Sequence, residues 1–204
     1  MLVVGLTGRS GSGKSTVTRY YAARGFAVAD GDEVSRNVAE PGSVCLRQLA
    51  EAFGSEIVNA DGTLARKKLA DIAFSSPQKT SLLVSITHPH IMQKIKAKAE
   101  KARMRGEHLF FLDGAVIVGG PAENFCDTIV LVTTPAEEAK RRILQRDEIT
   151  SQQVQARLDA QLSEEELRRK SGFEIKNDGS LQQLYRRADE VARDLLDGKL
   201  REGG

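Results

Sequence analysis

Residues Gly8–Ser15 read GRSGSGKS, two glycines at fixed spacing followed by lysine and serine, directly after the apolar run Leu2–Leu6. A loop of this kind between a strand and a helix turns its backbone N–H groups onto the phosphates of a nucleotide, with the positive end of the next helix behind them. Bulky side chains would block that approach, so the loop is built of small residues. Gly11, Ser12, Gly13, Lys14, Ser15 and Thr16 are therefore the expected nucleotide-binding residues. In such a loop the lysine, Lys14, neutralises β- and γ-phosphate charge, and the serine hydroxyl, Ser15, sits on a magnesium ion carried by the nucleotide. Val17, Tyr20 and Tyr21 then continue at helical spacing, which completes a strand, loop and helix unit.

The bulk properties bound what this unit belongs to. At 204 residues the chain fits one α/β domain with helical insertions, long enough to bury a sizeable core. Thirty Lys and Arg stand against 28 Asp and Glu, so no overall field points to a nucleic-acid duplex as partner. Cys45 and Cys126 lie far apart without metal-ligand spacing and read as ordinary reduced thiols. No basic segment precedes the first apolar run, and that run is too short for a secretory core or a membrane span. The expectation is a cytoplasmic enzyme with small-molecule partners, no nucleic acid and no membrane. The tail Arg201–Gly204 reads as frayed.

Four short apolar runs, Leu2–Leu6, Phe26–Ala29, Leu109–Leu112 and Ile129–Val132, and a weaker one at Phe173–Ile175, are separated by longer helical patterns. Runs apolar on both faces suit a covered parallel sheet, with the helices as crossovers. A five-stranded parallel sheet follows. Between the second and third runs lie about eighty residues, more than one crossover needs, so a helical subdomain is inserted there. Within it, Leu46, Leu49, Ala50 and Phe53 form a helical face that Gly54 stops, and Asn59, Asp61 and Gly62 make a turn,. A pattern begun by Leu82, Leu83 and Ile86 is expected to break at Pro89 and resume with Ile91, Ile95, Ala99 and Ala102,. Leu181, Leu184, Tyr185, Ala188, Val191, Ala192, Leu195 and Leu196 mark one core-facing helix,.

Carboxylates cluster where open α/β folds build their sites, at the C-terminal ends of strands. Asp30 and Asp32 follow the second run. Asp32 is the expected base that orients an acceptor hydroxyl and takes its proton, and Asp30 the expected helix cap. Asp113 ends the third run, the position from which a Walker B acid holds magnesium. Arg141, Arg142 and Arg146 follow the fourth run, and Arg157 lies in the charged segment Thr150–Lys170. That segment reads as a lid that brings guanidinium groups over a triphosphate and excludes water. Arg142 and Arg146, four apart, share a face. Lys94, Lys96, Lys98, Lys101, Arg103 and Arg105 spread around a helix and read as solvated surface. The pattern leaves His88 undecided, and the three histidines form no metal set,.

Further motifs carry a resemblance over nearly the whole chain. In order they are GLTGRSGSGKST at Gly5–Thr16, ADGD at Ala29–Asp32, FG at Phe53 and Gly54, DGTLARKKL at Asp61–Leu69, HPHI at His88–Ile91, RRILQRD at Arg141–Asp147, RLDAQ at Arg157–Gln161 and NDGS at Asn177–Ser180. In these the chain resembles dephospho-CoA kinases. The resemblance implies a three-layer α/β sandwich of the P-loop kinase type, with a five-stranded parallel sheet, a helical substrate-binding insertion and a helical lid. One domain would comprise a core at about 1–32, 107–145 and 172–204, an insertion at about 33–106 and a lid at about 146–171. It further implies transfer of the ATP γ-phosphate, with Mg2+, to the ribose 3′-hydroxyl of dephospho-CoA. Asp32 would be the base, Lys14 the phosphate clamp, Arg66 and His88 part of the acceptor site, Arg142 part of the lid, and Asn177 near the adenine.

The chain departs from that family pattern in three places. A DxPLLxE-like stretch after the third strand is replaced by Asp113–Gly119, Arg9 and Ser10 stand where Gly and Ile are common, and Ala139 stands for a glutamine. The alternatives are a P-loop kinase of a nucleoside monophosphate or another metabolite, and a module that senses ATP without turnover. A GTPase switch is disfavoured because no NKxD tetrapeptide is present.

Overall fold

The computed structural model describes residues 1–114 and 117–199. Five strands form one sheet in the order β2-β3-β1-β4-β5: β1 (Leu2–Thr7), β2 (Ala27–Asp30), β3 (Leu109–Asp113), β4 (Thr128–Thr133) and β5 (Phe173–Lys176). All five coincide with the expected apolar runs to within a residue or two. β1 pairs in parallel with β3 on one side and β4 on the other, in a register that puts Leu6 beside Asp113 and Val130. Chain order therefore reverses around β1, and the crevice at its C-terminal end is where a parallel sheet opens for a ligand.

The helices are α1 (Lys14–Ala23), α2 (Gly31–Asn37), α3 (Val44–Phe53), α4 (Arg66–Ala73), α5 (Pro77–Met104), α6 (Ala136–Arg146), α7 (Ser151–Asp159), α8 (Glu164–Arg169) and α9 (Leu181–Leu196). Their ends are written locally. Asp30 caps α2 by accepting from the backbone N–H groups of Asp32 and Glu33, so that helix starts three residues before Val34. Ser43 caps α3, and Thr150, Ser163 and Ser180 open α7, α8 and α9 with capping boxes closed by Gln153, Glu166 and Gln183. Each box satisfies two helix-end N–H groups that would otherwise lack partners.

The chain divides into two compact units, the described residues of Met1–Ala29 with Ala99–Gly204, and Asp30–Lys98. In the first, Val4, Leu6, Leu109, Phe111, Val130, Val132, Phe173 and Ile175 line one sheet face. They pack with Val17 and Tyr21 of α1 and with Leu184, Ala188, Val191, Ala192 and Leu195 of α9. The alternate residues Val3, Phe110, Leu112, Ile129 and Leu131 are buried as well, so both faces are covered, as unbroken apolar strands require. Leu181 and Leu196 depart from the expectation. They are 54% and 49% exposed: Leu181 is the first residue of α9, and Leu196 is turned about 100° around the helix from Leu195, which is buried,.

In the second unit, Leu46, Leu49 and Phe53 are buried along α3, Gly54 follows as its cap, and Asn59 and Thr63 close the expected turn. Pro89 does not break the long helix. α5 runs through it without interruption, although proline supplies no N–H to the carbonyl four residues earlier. Length and packing along the rest of a 28-residue helix outweigh one missing bond.

Cys45 and Cys126 are both free thiols. Burial pushes the Cys126 thiol up to about 12, aided by Asp127 and Glu123, and raises that of Cys45. Arg201–Gly204, expected to fray, lie outside the described residues, as do Ala115 and Val116 of the departed family stretch.

Candidate active site

The loop after β1 is held open by two glycines in backbone conformations that other residues rarely take. Gly11 has φ 80° and Gly13 φ 92°. A Cβ on Gly11 would lie 2.6 Å from the Ala139 carbonyl oxygen, and one on Gly13 would lie 2.2 Å from Asn177 Nδ2. The backbone of the loop thus lies directly against α6 and the residues after β5. Gly13 is also the residue before α1, so the helix begins at Lys14 with its positive end at the loop,.

Lys14 and Asp113 meet. The Lys14 ammonium donates to Asp113 Oδ1, and the side chains are 16% and 7% exposed. Asp113 Oδ2 accepts from the Thr18 hydroxyl at 2.5 Å. The register of β1 on β3 explains the meeting, since Leu6, one residue from the end of β1, lies beside Asp113 at the end of β3. Thr18 was not foreseen, although it stands four residues after Lys14 and so on the same helix face.

The outer side of the loop is braced residue by residue. Arg9 donates to the Leu158 carbonyl. Ser10 donates its N–H to Gln161 Oε1 at 3.0 Å and accepts from Gln161 Nε2 at its hydroxyl, at 3.1 Å. Arg142 Nη1 reaches the Gly11 carbonyl at 3.4 Å, and Asn177 Nδ2 donates to the Ser12 carbonyl at 2.8 Å. Carbonyls that face outward and find donors leave the amide side of the loop for phosphate. Among the described residues, the buried side-chain polar atoms without a partner are Thr7 Oγ1, Arg9 Nε and Ser12 Oγ. All three lie in or beside this loop. Buried polar groups are nearly always paired, so a cluster of orphans marks a place prepared for a polar ligand.

Arg142 is oriented by Glu138, which accepts from its Nε at 2.9 Å and from Arg141 Nη2 at 2.6 Å. Arg141 and then Arg142 hold the Glu138 carboxyl down at about 2, well below the usual range. Of the arginines singled out beforehand, Arg142 reaches the loop. Arg146 instead grips Asp147 at 2.7 and 2.8 Å, and Arg157 joins the same carboxylate. The shared face of Arg142 and Arg146 thus carries one loop contact and one local ion pair. Gln161, part of the RLDAQ motif, was missed as a loop partner, since its contact spans 151 positions in the sequence.

Ser15 is exposed on the first turn of α1, and Thr16 follows it half-buried. A serine hydroxyl and a carboxylate are hard oxygen donors suited to magnesium that keeps water and phosphate as its other ligands. Among the described residues, no group of three or more His, Cys, Asp or Glu side chains is placed to hold a metal ion.

The second unit carries the remaining three side chains. Asp32 is exposed in the first turn of α2, with its N–H on the Asp30 carboxylate at 2.8 Å. Asp30 is thereby occupied in capping, and Asp32 keeps its carboxylate on the surface. Arg66 opens α4 and donates to the Arg36 carbonyl at 2.5 Å. His88 is half-buried on α5, and its neighbour His90 bonds Gln48 Oε1 at 2.7 Å.

A parallel sheet with a phosphate loop at its switch point, a lysine on that loop and an acid at the end of the next strand define the P-loop nucleotide-dependent kinases. Comparison with known proteins narrows the class. The family model described as dephospho-CoA kinase matches residues 2–183. The dephospho-CoA kinase of Corynebacterium diphtheriae is 37% identical over 191 residues, which covers 94% of this chain and 96% of that protein. A crystal structure of TT1252 from Thermus thermophilus superposes with a TM-score of 0.81 at 30% identity, covering 95% of this chain and 97% of that one. The dephospho-CoA kinase of Campylobacter jejuni shares the fold, with a TM-score of 0.72 at 24% identity over 97% of this chain and 98% of its own. The chain belongs to the dephospho-CoA kinase family.

Proposed function

We propose that this protein transfers the γ-phosphate of ATP to the ribose 3′-hydroxyl of dephospho-CoA, giving coenzyme A and ADP. The family match over residues 2–183 carries the reading, because it takes in the phosphate loop and every residue assigned a role below. Catalysis of phosphoryl transfer is mostly positioning and charge stabilisation. The amides of Gly11–Thr16 receive the phosphates, and Lys14 passes from Asp113 to the β- and γ-phosphate oxygens. Arg142, already turned toward the loop by Glu138, adds charge from the lid side. Asp32 orients the acceptor hydroxyl and accepts its proton. Arg66, whose guanidinium meets a carbonyl and no carboxylate among the described residues, suits the diphosphate that dephospho-CoA carries. His88 belongs to the same acceptor site. Ser15 and Asp113 would hold Mg2+, which when bound neutralises charge on the β- and γ-phosphates.

The segment at about 146–171 acts as the lid and that at about 33–106 as the acceptor-binding insertion of one kinase domain. The reaction belongs in the cytoplasm, where ATP and reduced thiols coexist. No helix among the described residues is long and apolar enough to cross a membrane.

Incubation with ATP, Mg2+ and a panel of acceptors tests the reading. Dephospho-CoA should gain one phosphate at its 3′ position. Transfer to a nucleoside monophosphate alone would replace this function with the related kinase activity, and tight ATP binding with no acceptor at all would leave a sensor.

A further inference from the structure

We propose that Asn177 is a positioning residue that sets the phosphate loop, a role that rests on the nucleotide-binding reading above and differs from contact with adenine. Its side-chain NH2 donates to the Ser12 carbonyl at 2.8 Å inside the protein, with the residue 6% exposed. Only the NH2 end of an amide can donate to a carbonyl, so this contact fixes which way the amide lies. A trans peptide is planar, with its C=O and N–H on opposite sides. Holding the Ser12 carbonyl outward therefore aims the Gly13 N–H inward, toward the concavity where amides meet phosphate.

Asn177 can act as a fixed post because its own backbone is held twice. Its N–H donates to the Thr133 carbonyl at 2.7 Å, and its carbonyl accepts from the Thr134 hydroxyl, also at 2.7 Å. Those anchors stand at the end of β4, the strand beside β1. The amide also occupies the space that a side chain on Gly13 would fill, lying 2.2 Å from the position of its Cβ. The glycine and the asparagine are thus complementary. The loop approaches closely because position 13 has no side chain, and the amide that fills the gap secures the peptide that glycine leaves mobile.

A loop-setting role and an adenine-reading role differ in which ligands they affect. ATP, GTP and inorganic tripolyphosphate, each with Mg2+, are titrated against the wild-type protein, Asn177→Asp and Asn177→Ala. Asn177→Asp keeps the shape but, ionised, cannot donate. Both variants should weaken whichever of the three ligands the wild type binds by a common factor of roughly tenfold. The KM for ATP should rise with them, while the KM for dephospho-CoA stays within about twofold. Loss for ATP with tripolyphosphate unchanged would overturn the proposal in favour of adenine contact, and so would unchanged affinity for all three. A dissociation constant does not depend on the fraction of protein that is active, so partial misfolding does not imitate the expected result. Should neither variant fold, the wild type suffices: its Asn177 side-chain NH2 protons should exchange slowly with solvent, and fast exchange would overturn the proposal. Wild-type protein that binds none of the three ligands would remove the kinase reading itself, and with it the loop that Asn177 serves.

Discussion

Lys14, the first residue of α1, and Asp113, at the end of β3, form an ion pair, with Thr18 bonded to the far oxygen of the same carboxylate. On the proposed function, the nucleotide recruits this ammonium and magnesium recruits this acid, so binding of the two would have to separate the pair. Asp113→Asn should release Lys14, so ATP binding measured without Mg2+ should hold or tighten, while transfer with Mg2+ falls by about a hundredfold or more. Weaker metal-free binding with unchanged transfer would take Asp113 out of the metal role.

Asp30 and Asp32 stand two residues apart and should fail differently. Asp30→Ala removes the cap of α2 and should cost about 1 kcal/mol in denaturant unfolding. Asp32→Asn should leave stability and ATP affinity nearly unchanged, yet lower single-turnover transfer by about a hundredfold to ten-thousandfold. Normal turnover by Asp32→Asn would exclude it as the base.

Gly11→Ala tests how closely the loop lies on α6. The left-handed backbone at φ 80° costs a non-glycine residue about 1–2 kcal/mol. The added carbon would also meet the Ala139 carbonyl at 2.6 Å, and the loop has to shift to avoid it. Unfolding free energy should fall by at least the strain, and ATP affinity should fall with it. Wild-type affinity in this variant would show that the loop can move off α6 at no cost to binding.

The two bonds between Gln161 and Ser10 tie the segment carrying α7 and α8 to the loop. Each is worth about 0.5–1.5 kcal/mol. Gln161→Ala should speed amide hydrogen exchange in Ser151–Arg169 by about tenfold while the sheet amides stay protected. Identical exchange would mean that other contacts of the segment hold it, chiefly Arg9 on Leu158 and the packing of Val154 and Leu158 on Ile143.

Glu138 sets the acid limit of the arginine pair. Its folded-state pKa lies at about 2, below the ordinary 4.5. A depressed carboxyl binds its proton more readily in the unfolded chain, so its contribution is present above the unfolded value and is lost as pH falls from about 4.5 to about 2. In acid denaturation followed by circular dichroism, Glu138→Gln should show a shallower fall of stability across that window than wild type. Parallel curves would mean that Arg141 and Arg142 do not hold this carboxylate in solution.

Much of this architecture could be read before any coordinates. The central strands β1, β3 and β4 are nearly unbroken apolar runs because both faces of the sheet are covered there, whereas the edge strands β2 and β5 alternate in burial and give a shorter signal. Helix starts are equally local, as Asp30, Ser43 and Ser180 each cap a backbone within three residues of themselves. Pro89 was misread for a related reason. A proline signals what one turn loses, whereas the survival of α5 depends on all the turns around it. The exposure of Leu181 and Leu196 was missed because periodicity shows which face is apolar, not how far along and around the helix burial extends.

The phosphate loop, its lysine and the acid at the end of β3 were determined by sequence alone, since glycine spacing and strand ends fix local backbone chemistry. Which distant side chains serve that loop was decided only by the tertiary structure. Arg142 meets the Gly11 carbonyl across 131 positions, whereas Arg146 spends its guanidinium on its sequence neighbour Asp147. Asn177 was directed onto the Ser12 carbonyl across 165 positions by the pairing of β4 with both β1 and β5. Contacts of that kind are set by strand order and register, which bring together residues that no local pattern in the chain relates.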